Sequence, residues 1–185
     1  DRYVGDPDFV QVPLDRLLDK QYAEELRRQI DPERALAART VAWDNDTVYL
    51  CAVDREGRAV SLIQSIFQSF GSGLVAEGTG IVLHNRGACF TLDPASPNCL
   101  APGKRPLHTL IPAMLLRDGL PWVVFGSMGG HGQPQIQLQL LANLVDFELG
   151  PQAAIEAPRW LSRLEPGDEV ETLYLEPGFD VSVGE

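Results

Sequence analysis

Thr47 directly follows Asp46 in the stretch Asp46-Thr47-Val48-Tyr49, and its hydroxyl is a group that can attack a carbonyl carbon. A threonine hydroxyl is a poor nucleophile until a base takes its proton. A threonine at a free N-terminus carries that base itself, an α-amine with a pKa of about 8. Thr47 gains such an amine only if the Asp46–Thr47 bond is cut. Taken alone, it is better read as an ordinary strand-edge threonine, since threonine is common in strands. Gly129-Gly130 lies in a glycine-rich stretch whose backbone N–H groups can face a developing oxyanion, although glycines also suit a plain strand-to-helix turn. Ser72 and Ser127 stand near glycines but outside the Gly-x-Ser-x-Gly frame of a serine hydrolase. His84, His131 and the three cysteines, Cys51, Cys89 and Cys99, have no metal-ligand spacing, so no metal and no cofactor is expected. The thiols are expected to be reduced or buried rather than a disulfide framework.

These groups need elements to hold them. Leu14, Leu17, Leu18, Tyr22, Leu26 and Ile30 recur at helical spacing and predict a helix over 14–30, stopped by Asp31-Pro32. Two strand-like runs, 48–53 and 59–66, flank the turn Asp54-Arg55-Glu56-Gly57 and predict a hairpin that carries Thr47. Residues 80–83 suggest a further strand, and 84–105 a long loop. A second hairpin is expected from 113–116 and 122–125, joined through residues 117–121. A helix is expected over 134–149, opened by Pro134 and stopped by Gly150. Residues 172–175 suggest a last strand. Sheets covered by helices follow from this order.

The chain has 185 residues, 44% of them hydrophobic and 22% charged, enough for one domain with a substantial core. A net charge of -11 makes nucleic acid a poor partner. No apolar run reaches the ~18 residues that span a bilayer. No secretory signal opens at Asp1, which leaves the compartment, cytoplasmic or exported, open.

Five blocks occur in order: Asp46-Thr47-Val48-Tyr49, Phe70-Gly71-Ser72-Gly73, Pro102-Gly103-Lys104-Arg105-Pro106, Gly126-Ser127-Met128-Gly129-Gly130 and Ala157-Pro158-Arg159. In identity and spacing they resemble the small subunit of the gamma-glutamyltranspeptidase family. Tyr3-Val4-Gly5-Asp6-Pro7 resembles the end of that family's large subunit, so the resemblance covers nearly the whole chain. It implies an α+β fold, the four-layer αββα sandwich of N-terminal nucleophile hydrolases, present here in part. It implies a precursor that cuts itself at Asp46–Thr47. Residues 1–46 would then be the tail of the large subunit and 47–185 the small catalytic subunit, incomplete at its C-terminal end. The partner is the large-subunit portion of the same precursor, and the substrate is a small-molecule acyl donor.

The resemblance also implies site residues. Thr47 becomes the nucleophile, Gly129 and Gly130 the oxyanion hole, and Ser65 the hydroxyl that holds the nucleophile's amine. His108 and Thr109 stand where family members often have two serines that bind the donor's α-carboxylate. Arg105 is expected to brace a loop through paired carboxylates or carbonyls. The departures are specific: Arg86 and Cys89 replace the acidic and amide side chains that hold a glutamyl ammonium, and Phe67 replaces a polar residue. An Arg repels an ammonium and attracts a carboxylate, so a glutaryl-like acyl amide is expected to suit this chain better than a gamma-glutamyl one. The rival expectation is an inert fragment or binding domain that keeps the fold and never processes.

Overall fold

The computed structural model describes residues 4–30, 46–163 and 172–179. The chain divides into two compact units, one built from Asp1–Ala38 and Asn85–His108, the other from Arg39–His84 and Thr109–Glu185. This division differs from 1–46 and 47–185 because it follows packing, whereas the other is drawn at the expected cleavage before Thr47. The predicted stop at Asp31-Pro32 and the connection up to Asn45 lie outside the described residues.

In the first unit the apolar stripe does not make one helix. It is broken into α1, Leu14–Leu17, and α2, Lys20–Arg27. Asp19 explains the break, because its side chain accepts the Gln21 N–H at 3.0 Å and caps a new helix. The 84–105 segment is a loop, as expected, with one tight helical turn at Arg86–Cys89. An ion pair holds this unit together. Asp6 is buried, and its carboxylate accepts the Arg105 backbone N–H at 2.7 Å and Nε–H at 3.1 Å, while Arg105 Nη2 also reaches Asp8 at 2.7 Å. The Arg105 hydrogen bonds hold the Asp6 carboxyl well below the usual carboxylate range. Lys104 adds two bonds, to the Pro97 and Cys99 carbonyls at 2.7 and 2.9 Å. The Lys-Arg-Pro block is thus a brace, as its sequence suggested.

Among its described residues the second unit holds three two-stranded antiparallel sheets. β1, Asp46–Val53, pairs with β2, Ala59–Phe67; β3, Ala113–Arg117, pairs with β4, Leu120–Phe125; β5, Trp160–Arg163, pairs with β6, Thr172–Leu175. The second hairpin closes more tightly than 117–121 suggested. Asp118 and Gly119, at φ of 53° and 79°, form a two-residue turn with the handedness that strand twist favours. Residues 80–83 form no strand; Val75 and Val82 make a single bridge inside a small loop. The helix α3 runs Gln133–Val145 and ends earlier than expected, where Glu148 turns left-handed at φ 53°. Gly150 is then the N-cap of a short helix that sequence reading missed, α4, Pro151–Glu156, with Pro151 in its first turn.

Strand alternation sorts the first hairpin into two faces. Val48, Leu50, Val60 and Leu62 point outward and are all more than a third exposed. Thr47, Tyr49, Ser61 and Ser65 share the opposite face. Among the described residues only Phe67, Phe125 and Ala154 are buried apolar residues. The glutamines of α3 clip the neighbouring segments. Gln135 exchanges two hydrogen bonds with the Ser162 backbone, Gln139 does the same with Trp160 one turn on, and Gln137 donates to the Ile111 carbonyl.

Candidate active site

The inward face of the β1–β2 hairpin carries a row of hydroxyls. Thr47 is 8% exposed, and its Oγ1 donates to Ser65 Oγ at 3.1 Å. Ser65 Oγ also accepts the Phe67 N–H at 2.9 Å, which orients it toward Thr47. The two residues meet because they are register partners across the strands. The ladder slips one residue between Asp46 and Thr47, so Asp46 pairs with Phe67 and Thr47 with Ser65. Phe67 pays for this bulge with a left-handed backbone at φ 78°, worth about 1–3 kcal/mol of strain in a bulky residue. Its ring is 0% exposed and anchors the bulge in the core, so in this state Phe67 packs rather than faces a ligand.

Further along the same face, Ser61 donates to the Phe125 carbonyl at 3.3 Å. A hydroxyl has one proton, so the Tyr49 hydroxyl is the donor in its 3.1 Å bond to Ser61. Burial is the leading reason that the Tyr49 pKa is pushed up. The Tyr49 ring lies directly against Gly126, where any Cβ would collide with it. This contact seats the start of the Gly126–Gly130 loop on the face that carries Thr47. Gly129 and Gly130 follow with φ of 122° and 51°; Gly129 caps and Gly130 opens a tight turn, Gly130–Gly132, that leads into α3. Gly132 donates to the Gly129 carbonyl at 2.8 Å. A shallow depression of about 310 Å³ lined by Val48, Gln64, Ser65 and Ile66 opens beside Ser65.

Thr109 is half-buried in the segment before β3, and the Gln137–Ile111 bond fixes that segment to α3. Arg86, Cys89 and His108, singled out on the substrate side, belong to the first unit, and there they form one cluster. Arg86 is 6% exposed; burial lowers its pKa, and the neighbouring Cys89 works against that. Burial likewise pushes the Cys89 thiol up, opposed by Arg86. His108 is surface-exposed, yet partial desolvation and then the Arg86 charge push its pKa down. Sequence reading missed the residue that gathers them. Asn98 is buried, donates through Nδ2 to the Cys89 carbonyl, and accepts the Leu107 N–H at 2.9 Å. One amide thus fixes the backbone that carries Cys89 and the backbone that leads to His108.

Arg159 of the Ala-Pro-Arg block is structural. Its backbone N–H and Nη2 each reach the Glu176 carboxylate at 2.9 Å, and Nη1 bonds the Ile155 carbonyl at 3.2 Å. Among the described residues no cluster of His, Cys, Asp or Glu can hold a metal ion, the three cysteines are free, and no helix is long and apolar enough to cross a membrane.

The gamma-glutamyltranspeptidase family model matches residues 1–185. The glutathione hydrolase-like YwrD proenzyme of Bacillus subtilis is 43% identical over 179 residues, 97% of this chain and 34% of that protein. The oxamate amidohydrolase proenzyme of Klebsiella pneumoniae is 43% identical over 180 residues, again 97% of this chain and 34% of that protein. Among solved structures, the cephalosporin acylase from Bacillus halodurans superposes with a TM-score of 0.84 at 42% identity, covering 98% of this chain and 32% of that one. The chain spans about a third of the length of the curated relatives it matches.

Proposed function

The chain belongs to the gamma-glutamyltranspeptidase family and has the α+β fold of N-terminal nucleophile hydrolases, and from that premise we propose that Thr47 is the nucleophile of an amidohydrolase that frees its own N-terminus. The observation that carries this reading is the buried Thr47 hydroxyl, 3.1 Å from Ser65 Oγ and next to the slip in the strand ladder. In the precursor, Thr47 Oγ1 attacks the Asp46 carbonyl carbon. The C–N bond breaks, the nitrogen takes the hydroxyl proton, and an ester joins Asp46 to Thr47 Oγ1. Water hydrolyses the ester, leaving an Asp46 carboxylate, the Thr47 hydroxyl and a free α-amine. The strained bulge at Phe67 supports this step, because it takes the scissile peptide out of the regular ladder.

In turnover the α-amine accepts the Thr47 hydroxyl proton as Oγ1 attacks the donor amide, and returns a proton to the departing amine. The acyl group stays on Oγ1 until water or a second amine takes it. The N–H groups of Gly129 and Gly130 face the oxyanion in both additions. Ser65 orients the nucleophile.

For the donor we propose an amide whose acyl part carries a carboxylate. The support is chemical: Arg86 and Cys89 stand where the family places the groups that hold a glutamyl ammonium, and a guanidinium favours a carboxylate. A glutaryl amide fits this description. So does oxamate, the substrate in the name of the Klebsiella relative. The partner in this reading is the remainder of the precursor, which in the relatives accounts for about two thirds of the protein.

Intact mass of the complete gene product tests the nucleophile. Two pieces divided between Asp46 and Thr47 are expected; a single uncut chain with full activity would end the reading. Comparing glutaryl- and gamma-glutamyl-p-nitroanilide tests the donor, and clear preference for the glutamyl compound would overturn that part alone.

A further inference from the structure

Four glutamines alternate along α3, and three of them, Gln135, Gln137 and Gln139, have hydrogen-bond partners. Gln133 is the exception and the most deeply placed, 0% exposed, with neither Nε2 nor Oε1 bonded to anything. A buried primary amide with both ends unsatisfied is costly, and native structures keep such groups for a reason. Because this chain's own atoms enclose Gln133 completely, its partner must come from close by. Its Cγ lies 4.0 Å from where a Cβ on Gly129 would sit. Gly129 and Gly130 are two consecutive residues without side chains, at left-handed φ of 122° and 51°, so the peptide between them can rotate at little steric cost.

We propose that Gln133 is a positioning residue that receives the rotated Gly129–Gly130 peptide. In the described state the Gly129 carbonyl accepts the Gly132 N–H at 2.8 Å. Rotation breaks that bond and frees one carbonyl and one N–H. The two vacant atoms of Gln133 match them: Nε2 donates to the Gly129 carbonyl, and Oε1 accepts the Gly132 N–H. In a trans peptide the C=O and N–H point in opposite directions, so the Gly130 N–H swings away from Gln133 as the carbonyl swings toward it. Gln133 thereby stabilises the orientation in which that N–H serves the oxyanion. This inference rests on the oxyanion role proposed above for the glycine pair.

Gln133→Met keeps the length of the side chain and removes both polar atoms, in the complete gene product. A filler role predicts unchanged kcat and an unchanged or raised Tm. The positioning role predicts the same Tm behaviour with kcat lowered about tenfold or more and KM within about twofold. Unchanged kcat overturns the proposal. Should Gln133→Met fail to fold, a crystal structure of the wild-type acyl-enzyme decides. The Gly129 carbonyl on Gln133 Nε2 supports the proposal, and the carbonyl still on the Gly132 N–H overturns it. Thr47→Ala separates the two levels: if that variant keeps full activity, the nucleophile reading itself fails, whereas an inactive Thr47→Ala beside a fully active Gln133→Met sinks only the role of Gln133.

Discussion

The Asp6–Arg105 brace and the Thr47–Ser65 pair both join residues distant in sequence, 99 and 18 positions apart, but with opposite chemistry. The brace uses full charges on groups that stay ionised across the working range of pH. The hairpin uses two neutral hydroxyls at 3.1 Å. A charged pair holds because neither partner gives up its proton easily, whereas a nucleophile must give one up. The brace and the proposed nucleophile thus lie in different units of the chain, and the two should respond differently to mutation and to pH.

The harshest way to break this contrast is at Thr47. Thr47→Ala is expected to leave the chain uncut in intact-mass measurement and to lower kcat/KM by about a thousandfold or more. Thr47→Ser, which keeps the hydroxyl, is expected to retain processing at a reduced rate.

pH separates the two regions next. If Thr47 works through its own α-amine as proposed, kcat/KM of the processed enzyme is expected to fall about tenfold per unit as pH drops below the amine's pKa of about 8. The brace responds only in acid. The folded-state pKa of Asp6 lies below its unfolded value of about 4, so its contribution is fully present above about pH 4 and is lost as pH falls toward the folded pKa. Urea titrations should show Asp6→Asn with a lower midpoint than the parent at pH 7, the gap closing near pH 2. A gap that stays constant with pH would mean that the ion pair contributes nothing beyond packing.

Ser65→Ala sharpens the hydroxyl side. It removes the acceptor of the Thr47 proton but no charge, and self-cleavage followed by gel or mass is expected to slow about tenfold with the fold intact. The smallest effect is expected on the second hairpin, where Arg117 stacks 3.5 Å from the Trp122 ring centroid on an exposed surface. Arg117→Ala should cost about 0.5–1 kcal/mol in denaturant titration and leave processing unchanged, a yardstick for a contact with no chemical duty.

Much of this was legible before any coordinates. The Asp54–Gly57 turn between two strand-like runs located the first hairpin, while the pairing that brings Ser65 to Thr47 is read from the folded chain. The five ordered blocks pointed to Thr47 and to the glycine pair. The errors were local and have local causes. Asp19 was counted inside a helix because its neighbours keep the period, although its side chain is a cap. Gly150 reads as a stop because glycine ends helices, while Pro151 after it marks a start.

Residue types and spacing by themselves located the two hairpins and the body of α3, because strand and helix periods relate residues only a few positions apart; the candidate nucleophile came from the resemblance of the ordered blocks. Three features emerged only from the folded chain: the left-handed Phe67 opposite Asp46, the Asn98 amide that bonds two backbone segments nine residues to either side, and the unpartnered Gln133 beside Gly129. Each depends on where distant backbone carries its N–H and C=O groups. That is set by the whole path of the chain, and no short stretch of sequence contains it.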